Sequence, residues 1–222
     1  MDGRLLYYEG TIQNITERKL AEEALFAEQE KADRLLLNIL PRPVAESLKQ
    51  GEGTLAQLYD EATILFADLV GFTKLSAQMR PIELVNELNL IFSTFDHLAE
   101  YHELEKIKTV GDEYMVVGGL PLPMKDHVKA VARLALDMQI AIQEFKDPQG
   151  TPFQIRIGIA TGSVVAGVIG IKKFAYDLWG DTVNIASRME SHGEPGRIQV
   201  TEAAYQALKG DFYFEERGVI DI

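Results

Sequence analysis

The run Ile64-Leu-Phe-Ala-Asp-Leu-Val-Gly-Phe-Thr73 constrains this chain more than any other stretch. Its apolar part, Ala62 to Phe66, has strand length and is rich in branched and aromatic residues, as a buried strand requires. Asp68 stands where that run ends. Gly71 then supplies a position without a Cβ, and a helical pattern begins near Thr73. A strand that carries an acid to its C-terminal tip and turns through glycine into a helix can do two things. The carboxylate can hold a hard cation, and the free N–H groups of the turn and helix start, at Gly71, Phe72 and Thr73, can cradle phosphate oxygens. The same pattern also suits a simple helix cap.

A second stretch, Lys106-Ile-Lys-Thr-Val-Gly-Asp-Glu-Tyr-Met-Val-Val117, reads as two strands joined across Gly111-Asp112. It puts another carboxylate, Asp112, at a hairpin tip. Acids on neighbouring strand tips can share divalent ions for in-line displacement at phosphorus, although Asp112 as a turn residue explains the hairpin equally well. A third stretch, Tyr176-Asp-Leu-Trp-Gly-Asp-Thr-Val-Asn-Ile-Ala-Ser-Arg-Met-Glu190, has no reason to exist under the plainer readings.

From about Glu61 onward, these three stretches resemble the class III nucleotidyl cyclase catalytic domain in order and in spacing. The resemblance implies an α/β (α+β) fold, a ferredoxin-like mixed sheet flanked by helices. It implies two metal-binding aspartates at Asp68 and Asp112, with Leu69 as a further ligand and two Mg²⁺ or Mn²⁺ ions per site. Arg156 matches an arginine that contacts the phosphates; its plainer reading is a strand residue paired with a nearby acid. Asn184 and Arg188 lie four apart on one helix and so point the same way. The family uses them to orient the ribose and to stabilise charge on the α-phosphate. Otherwise Asn184 is a polar helix residue and Arg188 a partner for Glu190 or Glu194. Lys108 and Asp177 match the two purine-reading positions. A donor with an acceptor suits adenine, whereas guanylate cyclases place a glutamate and a small polar residue or cysteine there. The implied reaction is ATP to 3′,5′-cyclic AMP and pyrophosphate, in two sites shared across a head-to-tail homodimer. GTP cyclisation is the alternative, and a non-catalytic nucleotide-binding dimerisation module a remoter one. The family's glycine-flanked lysine segment would follow Ile222, so weak nucleotide binding is expected of the chain as it stands.

The chain has 222 residues with 46% hydrophobic content, enough for one domain plus an extension. A net charge of −12 argues against nucleic acid, which demands clustered Lys and Arg. It also means that a triphosphate must arrive with cation. There is no cysteine, which fits a reducing cytosol, and no signal peptide or membrane run is visible. The expected location is cytoplasmic. His97, His102, His127 and His192 have no ligand spacing and read as surface or turn residues.

Upstream, Leu5 to Ile15 alternates like a strand, and Asn14-Ile-Thr-Glu-Arg-Lys19 resembles the exit of PAS sensor domains. Residues 1–15 therefore read as the last strand of a sensor. Residues 16–53 read as a transducer helix and linker, capped by Asn14 or Thr16, and 54–222 as the catalytic domain. Ala21, Leu25, Glu28, Ala32, Leu35 and Ile39 follow the 4-3-4-3-4 spacing of a coiled-coil seam. An amphipathic helix packed within its own chain fits the same spacing. Further expectations are strands over Phe153–Thr161, Val164–Gly170 and Phe174–Trp179, and a closing segment over Tyr213–Ile220.

Overall fold

The structure is a computed structural model that describes residues 9–10, 13–51, 56–170 and 173–219. Packing divides the chain after Leu40. The first unit is in essence one helix, α1 (Thr16–Leu37), whose backbone start is held by Asn14 Oδ1 accepting from Thr16 N at 3.0 Å. No residue of α1 is buried. Most of the expected sensor strand lies outside the described residues, and those of it that are described form no strand.

The second unit begins at Pro41, so the short helix α2 (Arg42–Lys49) packs with the catalytic part; Pro43, Val44 and Ser47 share a cleft with Tyr59 and Tyr176. Six strands form one sheet in the order β2-β3-β1-β4-β5, with β6 pairing β4. They are β1 (Ala56–Leu69), β2 (Glu105–Val110), β3 (Glu113–Gly118), β4 (Ile155–Ile169), β5 (Ala175–Trp179) and β6 (Ile198–Val200). All pairings are antiparallel except β4 with β6, so the sheet is mixed, as the sequence indicates.

Two long helices, α4 (Pro81–Tyr101) and α5 (His127–Ala141), follow the 3.6-residue apolar period and cover one face. Ile91, Phe95, Val131, Leu134 and Met138 pack there with Leu65, Tyr114, Val116 and Ile157, all nearly inaccessible. Helix α6 (Asp181–Ser191) packs on β4 and β1. The remaining helices are α3 (Phe72–Ser76), α7 (Glu202–Leu208) and a 3₁₀ turn, Ile142–Glu144, that extends α5.

Three expectations are corrected. The two strands placed over 153–161 and 164–170 are one continuous β4. The irregularity falls in β1 instead, where the register shifts between Tyr59 and Ala62, and Gly162 stays in the ladder opposite Ala62. Gly162 is needed there because a Cβ would sit 2.7 Å from Thr182 Oγ1, which donates to the Ser163 carbonyl. The closing segment has no regular structure over 213–219. Finally, His127 is buried, with Nδ1 2.8 Å from the buried Thr63 hydroxyl, because the first turn of α5 lies over Gly118, which has no Cβ to obstruct it. Burial pushes its imidazole below the usual range.

Candidate active site

Strand β1 ends at Asp68, which stands in register with Glu113 of β3 on one side and Arg156 of β4 on the other. The β2–β3 turn therefore brings Asp112 to the same tip. Asp112 is pushed up to about 6, first by burial and then by the Asp68 carboxylate beside it. Glu113 is also raised, by burial and then by Asp68 and Asp112. Burial first, and the crowding of carboxylates second, make ionising these acids costly, and a cation beside them would relieve both. Two oxygen donors in such a place suit a hard divalent cation, so the residues fit Mg²⁺ or Mn²⁺. Among the described residues no cluster of three or more His, Cys, Asp or Glu forms a metal cage, so any cation here would lean on Asp68, Asp112 and a backbone carbonyl such as that of Leu69.

Positive charge comes from Arg156. Its Nη2 donates to Asp68 Oδ2 at 2.6 Å, and its Nε lies 3.2 Å from Glu190 Oε1. The latter pair is close enough for an ion pair yet not aligned as a hydrogen bond. Burial opposes the Arg156 charge, but the carboxylates of Asp68, Glu190 and Asp112 outweigh it and hold the guanidinium above its ordinary range. The plainer reading of Arg156, a strand residue paired with an acid, thus describes its contacts here.

Past Asp68 the chain turns at Gly71, whose φ of +76° is a left-handed conformation that favours glycine, and α3 starts at Phe72. Phe72 packs on the core, while Gly71 and Thr73 are exposed. Thr73 has its carbonyl taken by Ser76. Lys108 on β2 and Asp177 on β5, the two end strands of the sheet path, form an ion pair of 2.5 Å.

Helix α6 presents Asn184 and Arg188 on an exposed face. Arg188 is not bound to either acid suggested for it, since Glu190 faces Arg156 and Glu194 faces Arg217. Among the described residues neither Asn184 nor Arg188 has a side-chain hydrogen bond or ion pair. An exposed, unpaired amide and guanidinium one helical turn apart are free for a ligand.

The sequence matches the family described as the adenylate and guanylate cyclase catalytic domain over residues 54–222. The chain belongs to that family. An adenylate cyclase of Mycobacterium tuberculosis is 50% identical over 203 residues, covering 91% of this chain and 46% of the relative. The guanylate cyclase soluble subunit beta-2 of Rattus norvegicus is 45% identical over 208 residues, 93% of this chain and 30% of the relative. The chain thus spans less than half the length of these relatives. Among solved structures, the catalytic core of a rhodopsin-guanylyl cyclase with converted specificity, in complex with ATPalphaS, superposes with a TM-score of 0.72 at 36% identity, covering 75% of this chain and 91% of that one.

Within this cyclase domain, Glu190 is the functional candidate that sequence reading missed, having entered only as a possible partner for Arg188. It is 4% exposed, and burial followed by Asp68 pushes it to about 7 despite Arg156. A signal was present. Glu190 continues the stripe Thr182, Ala186 at four-residue spacing, and all three are buried, so a charge on that stripe had to find a partner. Among the described residues no helix is long and apolar enough to cross a membrane.

Proposed function

We propose that this cyclase domain converts ATP to 3′,5′-cyclic AMP and pyrophosphate. The observation that carries the preference for ATP is the Lys108–Asp177 pair, one donor and one acceptor held side by side. Adenine offers the complement, an N1 acceptor and a 6-amino donor; guanine reverses both. In the free protein the two side chains satisfy one another, and an entering base takes the place of each partner with the other. The 50% identity to a protein named adenylate cyclase supports the reading, as does the resemblance to a converted cyclase bound to ATPalphaS.

On this reading Asn184 orients the ribose and Arg188 meets charge that develops on the α-phosphate. Arg156 and the N–H groups at Gly71, Phe72 and Thr73 hold phosphate oxygens. Bound Mg²⁺ or Mn²⁺, held by Asp68, Asp112 and the Leu69 carbonyl, supplies activation of the ribose 3′-hydroxyl and neutralises the triphosphate. In the proposed head-to-tail homodimer, Asp68, Asp112 and Arg156 of one subunit face Lys108, Asp177, Asn184 and Arg188 of the other. Helix α1 would deliver the signal of an upstream sensor to that dimer.

GTP cyclisation is the second reading, favoured by the 45% identity to a guanylate cyclase subunit. Product analysis with ATP and GTP side by side, in Mn²⁺ and in Mg²⁺, separates the two. Cyclic AMP as the main product supports the proposal, and cyclic GMP as the main product overturns it.

A further inference from the structure

Arg156 lies between two carboxylates that belong to different elements, Asp68 on β1 through Nη2 and Glu190 on α6 through Nε. The two edges of the guanidinium are not equivalent in what they can give up. Asp68 is itself a cation ligand in the proposed site, so a cation competes with Nη2 for it. Glu190 is not such a competitor, and the backbone that carries it is fixed close to Arg156. Its backbone is pressed on Gly158, where even a Cβ would lie 2.1 Å from Glu190 N and 2.4 Å from the Ala186 carbonyl. The arrangement is also poor as a stability device. Arg156 Nε and Glu190 Oε1 are both buried without a hydrogen bond, a cost that folded proteins seldom carry without use.

We propose that Glu190 is a positioning residue that retains Arg156 when an arriving divalent cation draws Asp68 away, so that the guanidinium turns to the phosphates without leaving the site. This rests on the reading of Asp68 and Asp112 as cation ligands. A guanidinium shared between two carboxylates binds each less firmly than one left to a single partner. With Glu190 present, Asp68 is released to the cation at low cost and Nη2 becomes free, while Nε stays anchored beside α6. Without the Glu190 charge, Arg156 belongs to Asp68 alone and blocks it.

The test is Mn²⁺ binding to the whole chain without nucleotide, followed by titration calorimetry and by the electron paramagnetic resonance signal of free Mn²⁺. Wild type, Glu190→Gln, Arg156→Gln and the double variant are compared, with thermal melts alongside. Glu190→Gln should bind Mn²⁺ roughly fivefold to tenfold more weakly, the size expected for side chains in direct contact. Arg156→Gln, which frees Asp68, should bind more tightly than wild type. In the double variant the Glu190 effect should vanish, leaving affinity within about twofold of Arg156→Gln. Equal affinity in wild type and Glu190→Gln overturns the proposal. So does an undiminished loss in the Arg156→Gln background, which would make Glu190 act by its own charge or by packing. Absence of Mn²⁺ binding in wild type removes the cation site and this proposal together, whereas binding that ignores Glu190 removes this proposal alone. Should Glu190→Gln fail to fold, Glu190→Asp keeps the charge, withdraws it by one methylene and should shift affinity in the same direction by less.

Discussion

Lys108 Nζ sits 2.5 Å from Asp177 Oδ2, although β2 and β5 stand at opposite ends of the sheet path. The long β1–β4 pair makes this possible. Strand β3 joins β1 at Thr63–Asp68, whereas β5 joins β4 at Val165–Ile169, beside the other end of β1, and the outer strands come together. If this pair reads the base, Lys108→Glu combined with Asp177→Cys should lower cyclic AMP formation and raise cyclic GMP formation. A donor–acceptor mismatch that the bound base buries can discriminate by about 10⁴-fold. The readout is the ratio of kcat/KM for the two nucleotides, and an unchanged ratio removes both residues from base recognition.

The shared site predicts complementation. Asp68→Ala and Asn184→Ala homodimers should each be nearly inactive. Mixed, they form heterodimers in which one site combines both lesions and the other has neither. With free exchange about half the dimers are mixed, so activity should recover to roughly a quarter of wild type if the sites act independently. A mixture that stays inactive after exchange has been demonstrated means that each site is built within one chain.

Gly158 is where α6 touches the sheet backbone. Gly158→Ala would force a Cβ to 2.1 Å from Glu190 N, so one of the two backbones must shift. We expect a loss of about 3 kcal/mol or more, read as a lower midpoint in urea at unchanged slope, with activity falling because α6 is displaced. A midpoint equal to wild type would show that α6 can withdraw without cost.

Glu105 gives a pH dependence. Burial raises its carboxyl from 4.5 to about 7, so the folded state resists its ionisation. The sign follows from proton linkage: the folded chain holds this proton more tightly than the unfolded one, so stability falls as pH rises from about 4.5 to 7 and the penalty is then complete. Glu105→Gln should therefore be more stable than wild type at pH 8, by about 1–2 kcal/mol once partial exposure is allowed for, and nearly equal to it below pH 4.5. Urea titrations at the two pH values decide it; a gap of the same size at both would place the effect in packing.

Helix α1 leaves Leu25 and Leu35 at 71% and 58% exposure. Covered by a second copy, these positions would form the seam that their spacing suggests. Leu25→Asp with Leu35→Asp should then weaken self-association in sedimentation, with the melting of the second unit unchanged. Identical sedimentation of the two proteins would end the coiled-coil reading.

The sequence by itself determined what depends on short range. The Asp68 strand tip, the Gly111–Asp112 hairpin, the amphipathic periods of α4 and α5, and the four-residue step from Asn184 to Arg188 follow from local patterning, and each is present where expected. Three motifs in order also determined the family. Tertiary structure decided what depends on which surfaces meet. Continuous β4 was illegible because the register irregularity that accommodates it belongs to its partner, β1. His127 could not be recognised as buried, since the space for it comes from Gly118, at the end of the preceding strand β3, and only the fold lays α5 back over it. Glu190 read only as a possible partner for Arg188 until α6 was laid on Gly158, and that close approach brings it to Arg156 instead. In each case the deciding atom belongs to another element, and local residue patterns do not encode long-range contacts.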